Sequence, residues 1–212
     1  MRLLVLLLAS LITSSTLAAE QAKPHPNERD YIIEVLIFAQ QPGAKATELP
    51  GRPHIYLPLE EPALKVGAAP AWTRLSRVTG PSYWPQRVKL TREATALERH
   101  QDYRLLFHQA WRMRLVSEAK SIPLLIEGGD YFADMPELQG KLKLSVARYL
   151  HLETDLFLNT FEVVNAPNAV NATPYKVTSS AGMHQRRRMR SNELHFIDSP
   201  YLGLLIKIDR TP

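Results

Sequence analysis

Apolar and polar residues alternate along much of this chain, and a period of two is the signature of half-buried strands. After Gly140 the even positions Leu142, Leu144, Val146, Leu150, Leu152, Leu156 and Leu158 are apolar, interrupted by Arg148 and Thr154. The odd positions carry Lys141, Lys143, His151, Glu153 and Asp155. This predicts one long strand with a core face and a wet face. From Tyr103 to Leu115 the odd positions are apolar apart from Gln109, which predicts another strand. Ile122 to Glu127 reads as a third, closed by a turn at Gly128-Gly129. Tyr31 to Phe38 is apolar on both faces except at Glu34, as in a strand buried on two sides. A basic strand is expected from about Met183 to Ile197, then a turn at Asp198-Ser199-Pro200 and a last strand from Tyr201 to Ile208.

One segment has helical period. Over Thr91 to His100, Thr91 is placed to cap, Glu93 falls in the first turn, and Leu90, Ala94 and Leu97 share a face. Residues 39–88 have neither period, since eight prolines from Pro42 to Pro85 interrupt them. The aromatic residues there, among them Trp72, Tyr83 and Trp84, are expected to pin the segment to the core, with sugar stacking as the alternative. The fold class is α+β: an antiparallel β-meander sheet, at most curled towards a barrel, with one main helix and a long Pro-rich insertion.

The N-terminus changes the picture of where this chain works. Met1-Arg2, the aliphatic run Leu3 to Leu8 and the small residues at Thr16 and Ala18 make the three-part pattern of a secretory signal, with cleavage after Ala18. Residues 19–30 then read as a flexible leader, and 31–212 as a single periplasmic domain that includes the Pro-rich segment 39–88. The 212 residues carry a net charge of +5 and no cysteine. That excludes disulfides, thiolate metal sites and cysteine nucleophiles. Export and the small charge excess argue against nucleic acid and leave room for weak attraction to anionic polymers.

Candidate chemistry is sparse. His151, Glu153 and Asp155 lie two apart, a spacing that suits a divalent cation but equally any solvated strand face whose acids pair with arginines across the sheet. His195 and Asp198 invite a hydrolase with Ser191 or Ser199 as nucleophile, yet no nucleophile elbow or zinc-binding spacing accompanies them. The sharpest charge feature is His184-Gln185-Arg186-Arg187-Arg188-Met189-Arg190. Extended, it sends His184, Arg186, Arg188 and Arg190 to one side, where they need either acids from a neighbouring strand, such as Glu153 and Asp155, or an anionic ligand. Guanidinium forks suit carboxylates. The candidate ligand-binding set is Arg186, Arg187, Arg188, Arg190 and His195, with Trp84 as an aromatic contact; no catalytic residue, metal ligand or cofactor is expected.

Three stretches carry a resemblance. Tyr31 to Phe38, Arg148-Tyr-Leu-His151-Leu-Glu-Thr-Asp155-Leu156, and Arg187-Arg-Met-Arg190-Ser-Asn-Glu-Leu-His195-Phe-Ile-Asp198-Ser-Pro200-Tyr-Leu-Gly203 resemble the CsiV family of periplasmic peptidoglycan-binding proteins, as does Tyr103 to Trp111. That family's pattern ends Leu-His-Tyr-Ile-Asp-His-Pro before a glycine; here Phe196 and Ser199 stand at the tyrosine and second histidine, which weakens any role for a histidine pair. The resemblance implies a non-enzymatic protein of the Gram-negative periplasm. It implies binding to peptidoglycan and support of a bifunctional penicillin-binding synthase through its outer-membrane lipoprotein activator. A cell-wall hydrolase and a pure protein adaptor are the competing readings.

Overall fold

In the computed structural model the described residues are 26–41, 51–53, 64–66, 83–132, 135–164 and 175–211. They form ten strands and one α-helix: β1 (Asp30–Gln40), β2 (Leu64–Val66), β3 (Tyr83–Gln86), α1 (Thr91–Glu98), β4 (Tyr103–Arg114), β5 (Leu124–Phe132), β6 (Met135–Val146), β7 (Leu150–Val163), β8 (Tyr175–Met189), β9 (Leu194–Asp198) and β10 (Leu202–Arg210). The signal segment expected at residues 1–18 and most of the Pro-rich stretch lie outside the described residues.

The strands make two five-stranded sheets, ordered β3-β4-β1-β10-β9 and β2-β5-β6-β7-β8. The second is a meander from β5 to β8. The first is not, because the last strand returns beside the first, Tyr31 opposite Arg210. All pairings are antiparallel except β2 with β5. The sheets do not close into a barrel; they face each other across one apolar layer. Ile33, Val35 and Ile37 of β1, Trp111 of β4 and Ile206 of β10 meet Leu142 and Leu144 of β6, Leu152 and Leu156 of β7 and Met183 of β8 there. On the outer face of the first sheet Leu36 and Phe38 pack with Ala94 and Leu97 of α1. Helix, sheet and sheet therefore stack in three layers, and β1 is buried on both sides as its sequence required.

Several expectations for the strands are corrected. The long strand after Gly140 is a hairpin: a turn at 147–149 joins Val146 to Leu150, which sit opposite each other. Because paired residues point the same way, the even parity runs straight through the turn and hides it. The basic strand is likewise two, β8 and β9, separated by residues 190–193, where Asn192 adopts φ 66°. Gly128 and Gly129 do not end β5; they sit at a register shift within it. A side chain at Gly128 would strike the Leu106 carbonyl, so the glycine is what lets β4 and β5 approach. Finally, Pro85 lies inside β3, which is tolerated because β3 is an edge strand and needs hydrogen bonds on one side only.

Thr91 does not cap α1, whose N-cap is Leu90 without a side-chain bond. The buried Glu34 serves the chain entering the helix instead. Its Oε1 accepts from the backbone N–H of Lys89 (2.8 Å) and Leu90 (2.7 Å) and lies 2.8 Å from Nε2 of His108. The end of the leader is also held: Leu115 N–H donates to the Arg29 carbonyl, and Asn27 Nδ2 donates to the Ala147 carbonyl at 2.8 Å.

Candidate functional site

The basic row forms as the alternation predicts, and two of its members, His184 and Arg186, are engaged by acids of the same molecule. His184, Arg186 and Arg188 stand opposite Asp155, Glu153 and His151 of β7. His184 Nδ1 lies 2.8 Å from Asp155, and Arg186 lies 2.6 Å from Glu153 and 2.9 Å from Glu118. The Glu153 hydrogen bond and charge, with help from Glu118, raise the Arg186 pKa further above its ordinary value. Arg186 is thus a structural cation, and the acids of β7 that suggested a metal site are its partners and those of His184.

The other members differ. Among the described residues Arg187 and Arg188 have no carboxylate within ion-pair distance, and Arg190 has only Glu193, at 3.8 Å. Arg188 instead lies over the ring of Tyr149, 4.7 Å from its centroid. Arg148, on the same turn as Tyr149, lies 5.5 Å from that centroid. Each such cation–π contact at an exposed site contributes about 0.5–1 kcal/mol.

Arg148, Tyr149 and Arg190 border a cleft of about 380 Å³ at one end of the sandwich. Four segments build it: the lead-in to β1 at Asn27, the β6–β7 turn with Arg148 and Tyr149, the β8–β9 turn with Arg190 and Glu193, and Arg210 at the end of β10. Buried Tyr31, Val146, Leu150 and Met189 line its apolar side. An adjoining hollow of about 220 Å³ shares Tyr149, Met189, Arg190 and Glu193 and adds Arg188 and His195. Across both, four arginines face one carboxylate, Glu193.

The β8–β9 turn is fixed in place. Asn192 N–H donates to the Ile208 carbonyl at 2.8 Å, and its Oδ1 accepts from Arg210 N–H at 3.2 Å. Asparagine tolerates the left-handed backbone this turn needs. Nε2 of His195 lies 3.1 Å from the Arg190 carbonyl oxygen, so the ring braces the turn. Asp198 is on the opposite face of β9, since His195 stands across from Ile206 and Asp198 from Gly203. The two do not form a catalytic pair. Trp84 is elsewhere: β3 and β9 are the opposite edges of their sheet. The residue is 60% exposed and does not line the cleft. Trp72 lies outside the described residues.

Arg148, Tyr149 and Arg210 were not foreseen as site residues. Arg148 did leave a trace in the sequence, as a charge where the parity called for an apolar residue. That break marked a turn.

The described residues thus place a cationic cleft with one apolar side at the end of a helix-backed pair of β-sheets. The chain belongs to the CsiV family of peptidoglycan-binding proteins, whose family model matches residues 81–211 and so covers the helix, both turns and every arginine of the cleft. That membership implies a place in the cell envelope. The chain matches no curated protein and no solved structure. Among the described residues no helix is long and apolar enough to cross a membrane.

Proposed function

We propose that this chain is a non-enzymatic periplasmic protein, exported by residues 1–18, that binds peptidoglycan through the cleft at the β6–β7 and β8–β9 turns. In this role it supports wall synthesis by a bifunctional penicillin-binding synthase and its outer-membrane lipoprotein activator. The observation that carries the reading is the charge imbalance of the cleft. Four guanidinium groups are gathered there with one loosely engaged acid, beside an apolar side wall. Like charges held together need a counter-charge, and peptidoglycan supplies carboxylates on its stem peptides. The binding set becomes Arg148, Arg188, Arg190 and Arg210, with Arg186 reassigned to the sheet.

The test is co-sedimentation with purified sacculi, comparing the wild type, a triple Arg148→Ala, Arg188→Ala, Arg190→Ala variant, and Arg186→Ala. At the ~0.5–1 kcal/mol typical of exposed ion pairs, three lost contacts weaken retention about tenfold or more. Arg186→Ala retains sacculus binding, and chromatography of the supernatant finds no released wall fragments in any sample. Undiminished retention of a folded triple variant places the ligand elsewhere, and released fragments make the protein a hydrolase.

A further inference from the structure

The two hollows are divided unevenly. Arg148 lines only the larger and Arg188 only the smaller, whereas Tyr149 and Arg190 line both. Tyr149 borders both, and the Arg148 guanidinium of the larger hollow lies 5.5 Å from its ring centroid and that of Arg188, of the smaller, 4.7 Å. The two arginines reach it from different elements, one from the tip of the β6–β7 turn and one from β8. Both are exposed, and His151, not an acid, stands opposite Arg188. Ring contact limits the rotamers each long side chain samples, so less entropy remains to be lost when a ligand is bound.

We infer that the cleft takes a ligand with two carboxylates, one against Arg148 and the other against Arg188, straddling Tyr149, and that the ligand is an acidic peptide with free carboxylates and not the glycan. This rests on the peptidoglycan reading above. The stem peptide, with acidic residues and a free C-terminus where it is not cross-linked, is the wall component of that class. Arg190, bordering both compartments, serves either carboxylate once it leaves Glu193.

The experiment is calorimetric titration of the full chain with four probes: a disaccharide–tetrapeptide monomer, the same monomer with its carboxylates capped as amides, a derivative keeping one of them free, and peptide-free glycan chains whose lactyl carboxylates are amidated. The wild type binds the monomer. Arg148→Gln and Arg188→Gln each weaken that binding about three- to fivefold, and capping weakens it about ten- to twenty-five-fold, the product of the two lost contacts. A derivative keeping one free carboxylate becomes insensitive to one of the two replacements, because that arginine has nothing left to hold. The inference is overturned if glycan chains bind as tightly as the monomer, if capping has no effect, or if neither replacement weakens binding. The capped probe needs no variant, so it decides the matter even if a replacement perturbs folding. A wild type that fails to sediment with whole sacculi refutes the proposed function itself. One that sediments but ignores peptide carboxylates refutes only this assignment.

Discussion

Replacing Glu34 tests the account of how α1 is fastened to the first sheet. The carboxylate is buried, with 5% of its side chain exposed, and one oxygen serves three donors: the backbone N–H groups of Lys89 and Leu90 and the ring of His108. Alanine removes all three bonds and leaves the Leu90 amide buried with no acceptor. An unsatisfied buried donor costs about 1–3 kcal/mol, and a hydrogen bond to a carboxylate contributes about 1.5–3 kcal/mol. Since Lys89 is exposed and recovers water, the total for Glu34→Ala should be about 3–5 kcal/mol. Glutamine keeps a carbonyl oxygen in the same place and loses only the charge, so Glu34→Gln should cost about 1–2 kcal/mol. Urea denaturation followed by circular dichroism measures both, with unchanged slope and lowered midpoint. If alanine costs under about 1 kcal/mol, or no more than glutamine, the carboxylate does not fasten the helix and the reasoning fails.

Two more substitutions test the packing. Gly203 lies beneath the Phe38 ring, which is stacked parallel to Phe196 at 6.3 Å and edge-on to Tyr103 at 5.4 Å. Gly203→Ala drives a methyl into that ring and should destabilise the fold by about 1–3 kcal/mol, read as a lowered thermal midpoint. Buried Thr154 donates to the Met183 carbonyl at 3.0 Å and accepts from Gln185 N–H at 2.9 Å. Thr154→Val leaves both backbone groups unpaired by that hydroxyl; the expected loss is about 1–3 kcal/mol, with faster amide exchange at Gln185.

Much of the fold was legible because burial imposes parity. Leu142 to Leu158 and Tyr103 to Leu115 each declare a face, and the two-sided apolar run at Tyr31 marks the strand between two layers. What parity cannot show is a turn that conserves it. The 147–149 turn joins residues that oppose each other, and inward-facing Met183, Met189 and Ile197 are all odd on both sides of residues 190–193. The reverse failure occurs in β4. A register shift opposite Ile37 and Phe38 sends Tyr103 and Leu105 to the helix side and Phe107, Trp111 and Met113 to the inter-sheet core. One unbroken sequence pattern thus serves two faces. For the site, the sequence exposed the arginines of β8 but not which of them were paired, because pairing depends on strand register. Glu153 reaches Arg186 only through the β7–β8 alignment, and Glu118 reaches it from outside both strands. Arg210 was beyond reach for the same reason, being brought to the cleft by the pairing of the first and last strands.

The cleft's walls come from both sheets: the β6–β7 turn belongs to one, the β1 lead-in and the end of β10 to the other, and the β8–β9 turn is the covalent hinge between them. A stem peptide bound there, as proposed, would touch both leaves of the sandwich at their shared margin. A bound wall fragment should therefore stiffen the molecule as a splint does, slowing exchange at strand ends far from any residue it touches.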